Sequence, residues 1–273
     1  EGTGRVTAFN DDVVNLDGSA VGTFANANVE LDPETGGPGL KVVSISGYSI
    51  SGTDAGNYNL VSPTDVMATI TPVTITLTSS DIIVDDKTYD ASAYGSYTVK
   101  LTDNVINTGV NSETLKLLET GYDIDGNAIA ARAVFGSKDV AFDGNGVVEA
   151  QGASLEGFGL GGGTGANAGL AVNYVLELPA DLVATINQAS ISASGVVVAN
   201  KVYDTTTDAL LQNAGTVTAF GRDDLQVDVT EVVATFADKN AGDGKAVTLS
   251  GYKLSGADAA NYIVTQPSGL TAN

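Results

Sequence analysis

Cysteine, histidine and tryptophan are missing from all 273 residues, methionine occurs once, and lysine and arginine together number 12 against 33 acidic side chains. Without cysteine there is no thiol nucleophile, disulfide or thiolate metal site. Without histidine there is no imidazole base for a serine triad and no ordinary zinc or haem ligand. These absences exclude most enzyme classes. The formal charge of -21 repels nucleic-acid phosphates and anionic lipid headgroups, so no nucleic-acid partner is expected and cations are the small partners to consider. Long apolar runs are lacking too: no window approaches the roughly 20 apolar residues of a spanning helix, and no membrane insertion is expected. The opening Glu1-Gly2-Thr3-Gly4 has no charged and apolar signal pattern, so the chain reads as mature or as an internal fragment.

What is present fits an exported protein. Hydrophobic residues make up 43%, enough for a core in each of the two or so domains that the length suggests. Charged residues are only 16%, below the soluble average of about 25%, so Ser, Thr, Asn and Asp supply much of the polar surface. An acidic, Lys-poor, Gly-rich chain of this kind points to an extracellular or cell-surface location.

Internal repetition organises the sequence. Ser46-Gly47-Tyr48-Ser49-Ile50-Ser51-Gly52-Thr53-Asp54-Ala55-Gly56-Asn57-Tyr58 recurs as Ser250-Gly251-Tyr252-Lys253-Leu254-Ser255-Gly256-Ala257-Asp258-Ala259-Ala260-Asn261-Tyr262, with a divergent middle version at Asn173-Tyr174. After each Tyr, proline follows by five residues (Pro63, Pro179, Pro267) and alanine by ten (Ala68, Ala184, Ala272). Upstream, Thr23-Phe24-Ala25-Asn26-Ala27-Asn28, Val134-Phe135-Gly136-Ser137-Lys138-Asp139 and Thr235-Phe236-Ala237-Asp238-Lys239-Asn240 correspond, as do Lys87-Thr88-Tyr89-Asp90 and Lys201-Val202-Tyr203-Asp204. Three modules are expected: 1-72, lacking its opening strand; 73-187, enlarged, with a Gly-rich loop at 157-169 and a second elaboration at 103-130; and 188-273, lacking the end of its last strand. Joints without Gly/Ser linkers imply a rod.

Strand signals dominate. Val73 to Thr78 and Ala246 to Ser250 alternate apolar with Ser or Thr, as half-buried antiparallel strands do. The apolar phase slips at Gly47, Gly152 and Gly251, which reads as a β-bulge in each copy. The best helical candidate is Ser112 to Thr120. The fold class is all-β: a tandem array of antiparallel, β-sandwich-like (Ig-like) modules.

The Tyr-Asp segment, the Thr-Phe-Ala-Asp-Lys-Asn block, the Ser-Gly-Ala-Asp-Ala-x-Asn-Tyr block and the Ala-Thr-Ile-Thr-Pro close resemble the YDG/MBG-type tandem repeats of large bacterial surface adhesins and filamentous-haemagglutinin-like exoproteins. Where that family has Tyr-Asp-Gly, this chain has Tyr89-Asp90-Ala91 and Tyr203-Asp204-Thr205. The resemblance implies a stalk or filament module of a very long exported protein that holds an adhesive tip away from the cell.

Several residues stand out as candidate sites. Asp11, Asp12, Asp54, Asn57, Asp223, Asp224, Asp258 and Asn261 cluster near turns, where oxygen ligands suit calcium and where Asp and Asn equally close turns on their own backbone. No cofactor is required, and calcium is the one considered. Tyr58, Tyr174 and Tyr262 are expected as packing anchors with bonded hydroxyls, beside Phe24, Phe135 and Phe236. Lys87 and Lys201 early in their modules, with Asn187 and Asn273 at the close, follow an order reminiscent of Lys-Asn cross-links in other surface adhesins.

The function expected from all of this is a non-catalytic structural spacer in an adhesin, filament or biofilm-matrix protein. Its partners would be neighbouring repeats or neighbouring subunits. Two alternatives stand beside it: the insertions of the middle copy recognise a host or matrix glycan or protein, or subunits polymerise head to tail by strand complementation.

Overall fold

A computed structural model describes residues 6–122 and 126–273. The described chain is all-β, with short strands in sheets of two to four and 3-10 turns as its helical content. The expected helix at Ser112 to Thr120 is instead the strand Thr114–Leu118, which buries Leu115 and Leu117 by alternation. Two apolar residues at this spacing suit a strand face as well as a helix face, and tertiary burial decides between them.

Chain segments assemble into two compact units. One comprises Glu1–Thr76, Asp103–Leu118 and Leu160–Glu177; the other comprises Leu77–Thr102, Glu119–Gly159 and Leu178–Asn273. Of the elaboration expected at 103-130, residues 123–125 lie outside the described residues, as do Gly4 and Arg5.

The same antiparallel ladder occurs at three places. Phe24 pairs with Val43, Phe135 with Ala153 and Phe236 with Val247. The alanines ten residues after each Tyr then close the ladders: Ala68 opposite Lys41, Ala184 opposite Gln151 and Ala272 opposite Lys245. Phe135 and Phe236 are buried, with Ala133, Leu155 and Ile186 around the former and Ala234, Val247 and Leu249 around the latter. Phe24 is half-buried.

Not every strand is antiparallel. Val73–Thr76 runs parallel to Tyr174–Glu177, and Ala189–Ser192 runs parallel to Tyr262–Thr265. A parallel pair needs a long crossover connection, which the intervening chain supplies in both cases. The period-two pattern specifies which face is buried and carries no information on strand direction.

The ladder register corrects one glycine. Gly47 (φ +89°) and Gly251 (φ +82°) hold the left-handed backbone, and a Cβ there would lie 2.3 Å from the Ser19 carbonyl oxygen and 2.2 Å from that of Glu231. In the middle ladder the equivalent residue is Gly157 (φ +76°), whose Cβ would meet the Ala130 oxygen at 2.5 Å. Gly152, expected to form the bulge, sits inside the regular strand Gln151–Glu156 with open space where a Cβ would be. The phase slip there misled because the glycine-rich stretch beyond Gly157 hides the apolar pattern that would set the register.

That stretch differs from expectation as well. Gly159–Gly162 is a strand in a sheet with Thr114–Leu118 and Val105–Asn107, and a Cβ on Gly163 would sit 1.9 Å from the Thr114 oxygen. Glycine is used here for close backbone approach, not for a free loop.

After each Tyr-Asp, the chain departs from the glycine of the resembled family at a position that needs one. Ala91 (φ +63°) and Thr205 (φ +73°) are both left-handed, and for a β-branched residue this is strained. Thr205 is exposed, so its side chain contributes little packing. Thr205→Gly should therefore stabilise the chain by about 0.5–1 kcal/mol, the relief of strain less the added backbone freedom. Urea melts that showed no gain, or a loss, would contradict this.

Candidate functional site

The Asn-Tyr block has one local structure in all three copies. A 3-10 turn, Ala55–Asn57, Ala171–Asn173 or Ala259–Asn261, runs directly into an extended Tyr58, Tyr174 or Tyr262. In the first and third copies the preceding Asp ties the turn to an upstream loop. Asp54 Oδ2 accepts the Val13 N–H at 2.8 Å, and Asp258 Oδ2 accepts that of Asp224 at 2.8 Å.

Each tyrosine hydroxyl is bonded. Tyr58 donates to Asp12 (2.7 Å) and accepts from the Phe9 N–H (3.0 Å); Tyr262 donates to Asp223 (2.7 Å) and accepts from the Phe220 N–H (2.9 Å). The rings stack on the same phenylalanines, Phe9 on Tyr58 at 6.4 Å and Phe220 on Tyr262 at 5.8 Å. Tyr174 reaches Glu113 instead, at 2.7 Å. Tyr174 and Tyr262 are buried, whereas Tyr58 is half-buried.

In two of the blocks the asparagine bonds a Phe-containing loop far upstream in the chain. Asn173 Oδ1 accepts the Val29 N–H at 2.8 Å while its amide donates to Asn28 Oδ1 at 3.0 Å. Asn261 Oδ1 accepts the Val140 N–H at 2.9 Å while its amide donates to Asp139 Oδ1 at 2.9 Å. Val29 and Val140 are buried there. A side-chain amide suits this place because it satisfies one donor and one acceptor at once, and buried polar groups must be satisfied.

A cluster of opposite charges surrounds the Asn261 contact. Lys138 Nζ lies 2.7 Å from Asp139, 3.3 Å from Asp258 and 3.7 Å from Asp223, and donates to the Tyr89 hydroxyl at 3.1 Å. Tyr89 itself donates to Asp223 at 2.6 Å, and its ring meets that of Tyr262 edge-on at 5.3 Å. Lys138 is held above its usual range by the bond to Asp139 and then that to Tyr89, and Asp139 is held below its range by the same lysine. Burial, then the bond to Asp223, pushes Tyr262 up to about 12. At the Asn173 contact Ala27 stands in place of Lys138 and Leu170 in place of Asp258, so both partners of the ion pair change together.

The residues considered for calcium are thus placed on turns and at the contacts just described. Asp12, Asp54, Asp223 and Asp258 accept the bonds already given, Asp224 accepts the Ala257 N–H at 3.2 Å, Asn261 caps Val140, and Asp11 and Asn57 are exposed. Among the described residues no group of three or more acidic side chains is disposed to hold a metal ion. The cation at the Asp139, Asp223 and Asp258 cluster is Lys138.

The lysines considered for cross-links are also committed. Lys87 Nζ donates to the Ser92 and Tyr94 carbonyl oxygens and pairs with Asp90 at 2.6 Å. Lys201 does the same with Thr206, Asp208 and Asp204, which its bond holds down to about 2. Asn273 Oδ1 accepts the Gly244 N–H.

Sequence reasoning missed the residue that shapes each Phe loop. Lys41 Nζ donates to Asn26 Oδ1 (2.7 Å) and the Asn28 carbonyl (2.6 Å), Lys245 donates to Asp238 and the Asn240 carbonyl, and Gln151 does this work in the middle copy through Ser137 N and the Asp139 carbonyl. The recurrence of Lys41 and Lys245 at one place before Val43 and Val247 was the available signal; Gln151 obscured it. Lys138 and Tyr89 were missed because their partners Asp223, Asp258 and Tyr262 lie far along the chain.

Residues 187–269 match the family model described as the YDG domain. No curated protein and no solved structure matches the chain.

Proposed function

We propose that the chain is a non-catalytic structural spacer, a stack of related modules within an exported, surface-associated protein. The observation that supports it best is the joint built twice by one rule: the asparagine of an Asn-Tyr block caps the N–H that follows the Phe loop of the preceding copy. An element whose copies cap one another has a role in stacking. The YDG match at residues 187–269 and the resemblance to adhesin repeats support the extracellular setting. The like charge of the modules, summing to -21, disfavours aggregation.

Mechanical extension tests the reading. Pulled by its two ends, the wild-type chain should unfold in discrete events, because whole ladders must break together, and Asn261→Ala should lower the force of one event by removing the cap on Val140. Smooth extension without resolved events would overturn the spacer reading.

A further inference from the structure

Val29 and Val140 form a matched pair. Each is buried, and each N–H is taken by an asparagine Oδ1, from Asn173 at 2.8 Å and from Asn261 at 2.9 Å. What surrounds the two asparagines differs. The bonds of Asn173 and Asn28 go to amides, backbone groups and Lys41, with Ala27 and Leu170 where the other contact has Lys138 and Asp258. Of titratable groups, Lys41 bonds the Asn28 carbonyl, and Glu113 and Tyr174 bond each other.

Around Asn261 three carboxylates share one ammonium. Lys138 Nζ is within 3.7 Å of Asp139, Asp223 and Asp258, which come from three separate segments of the chain, and among the described residues it is the one cation paired with them. Asp139 also accepts the Asn261 amide, Asp258 also accepts the Asp224 N–H, and Asp224 accepts that of Ala257. The Asp223 side chain is only 7% exposed and takes the Tyr89 and Tyr262 hydroxyls at 2.6 Å and 2.7 Å. Hydroxyls and an ammonium facing a carboxylate favour its anion, so a proton added there removes the attraction that draws these segments together.

We propose that the Asn261 contact is an acid-released clasp: protonation of Asp139, Asp223 and Asp258 frees Lys138 and lets the 258–262 block lift from Tyr89 and Val140, while the Asn173 contact stays closed. The direction follows from the charges. Lys138 holds Asp139 below the usual aspartate range, so this stabilisation is complete above about pH 4 and is lost as the pH falls through the lower value of the folded chain. Lys138 is held above its usual range by Asp139 and then Tyr89; Tyr89 is raised by burial and then Asp223, and the same two causes push Tyr262 up to about 12. These three contribute fully below about pH 10 and lose that contribution only as the pH rises, which leaves the acid response to the carboxylates. Acid also shrinks the charge of -21, so general repulsion weakens while this contact loosens.

Hydrogen exchange of the full chain, followed residue by residue and corrected for the intrinsic effect of pH on exchange, tests this. Protection of the Val140 N–H relative to that of Val29 should fall by about tenfold or more between about pH 6 and about pH 2.5. Lys138→Met, at a side chain 39% exposed, leaves the three carboxylates together without their cation. Its Val140 N–H should be less protected than in the wild type at neutral pH and should gain protection on mild acidification, the reverse of the wild-type direction. A merely structural lysine would lower protection alike at both. Asp139→Asn keeps an acceptor for the Asn261 amide and should shrink the acid response. Protection at Val140 and Val29 that falls in parallel, or a Lys138→Met variant that keeps the wild-type direction, would overturn the clasp.

Discussion

Gly251→Ala is expected to destabilise the chain by about 2–5 kcal/mol, against little change for Gly152→Ala. Two effects add at Gly251. The left-handed backbone at φ +82° costs an L-residue about 1–2 kcal/mol, and the new methyl would start 2.2 Å from the Glu231 carbonyl oxygen, where relief by backbone shift costs about 1–3 kcal/mol more. The oxygen cannot withdraw cheaply, because Val233–Phe236, just beyond it, is fixed against Lys245–Ser250. Gly157→Ala should behave alike, at 2.5 Å from Ala130. Gly152 has ordinary backbone and open space, so alanine there changes stability by at most about 0.5–1 kcal/mol, in the stabilising direction. Urea denaturation of the three variants decides the matter, since a fall at Gly152 with tolerance at Gly157 would put the bulge of the middle ladder where the apolar phase alone suggested.

The second large effect is at Tyr262, which packs on Tyr89. Tyr262→Ala should cost about 3–5 kcal/mol, as for other buried aromatics cut to alanine, by opening a cavity beside Tyr89, Ala189 and Phe220. Tyr262→Phe keeps the ring and should cost about 1–2 kcal/mol, because the Phe220 N–H and one acceptor site of Asp223 lose their partner. Tyr58→Ala should cost clearly less than Tyr262→Ala, since Tyr58 has the same bonds on a half-buried ring. Equal losses at Tyr58 and Tyr262 would mean that the hydroxyl network, not the covering of Tyr89, holds the block. Hydrogen exchange at the Val140 N–H gives a second reading, because loosening the block in Tyr262→Ala should release the Asn261 cap and expose that donor.

Much of this architecture is legible in the sequence because it is carried by local, repeated patterns. Period-two alternation marks strands, the absence of long 3.6-period stretches argues against helices, and the fixed distance from each Tyr to Ala68, Ala184 and Ala272 predicts a common register, which the ladders have. The Asn-Tyr turn is likewise local: three copies, one conformation. The missing histidine and cysteine settle which chemistry the side chains lack.

Only the tertiary structure decides which strand meets which, and in what direction. Alternation reports the face a strand buries and nothing of its partner, so the parallel pairing of Val73–Thr76 with Tyr174–Glu177 could not be read from either segment. Gly152 and Gly157 are indistinguishable as residues; the carbonyl of Ala130, brought close by pairing across the sheet, makes the second one obligatory. Tyr89 and Tyr203 share a motif, yet one is buried and the other open, because burial belongs to what packs on a residue. The sequence determines the recurring segments and their strands through short-range pattern, while the contacts of Asn173, Asn261 and Lys138 depend on side chains far apart along the chain meeting in space.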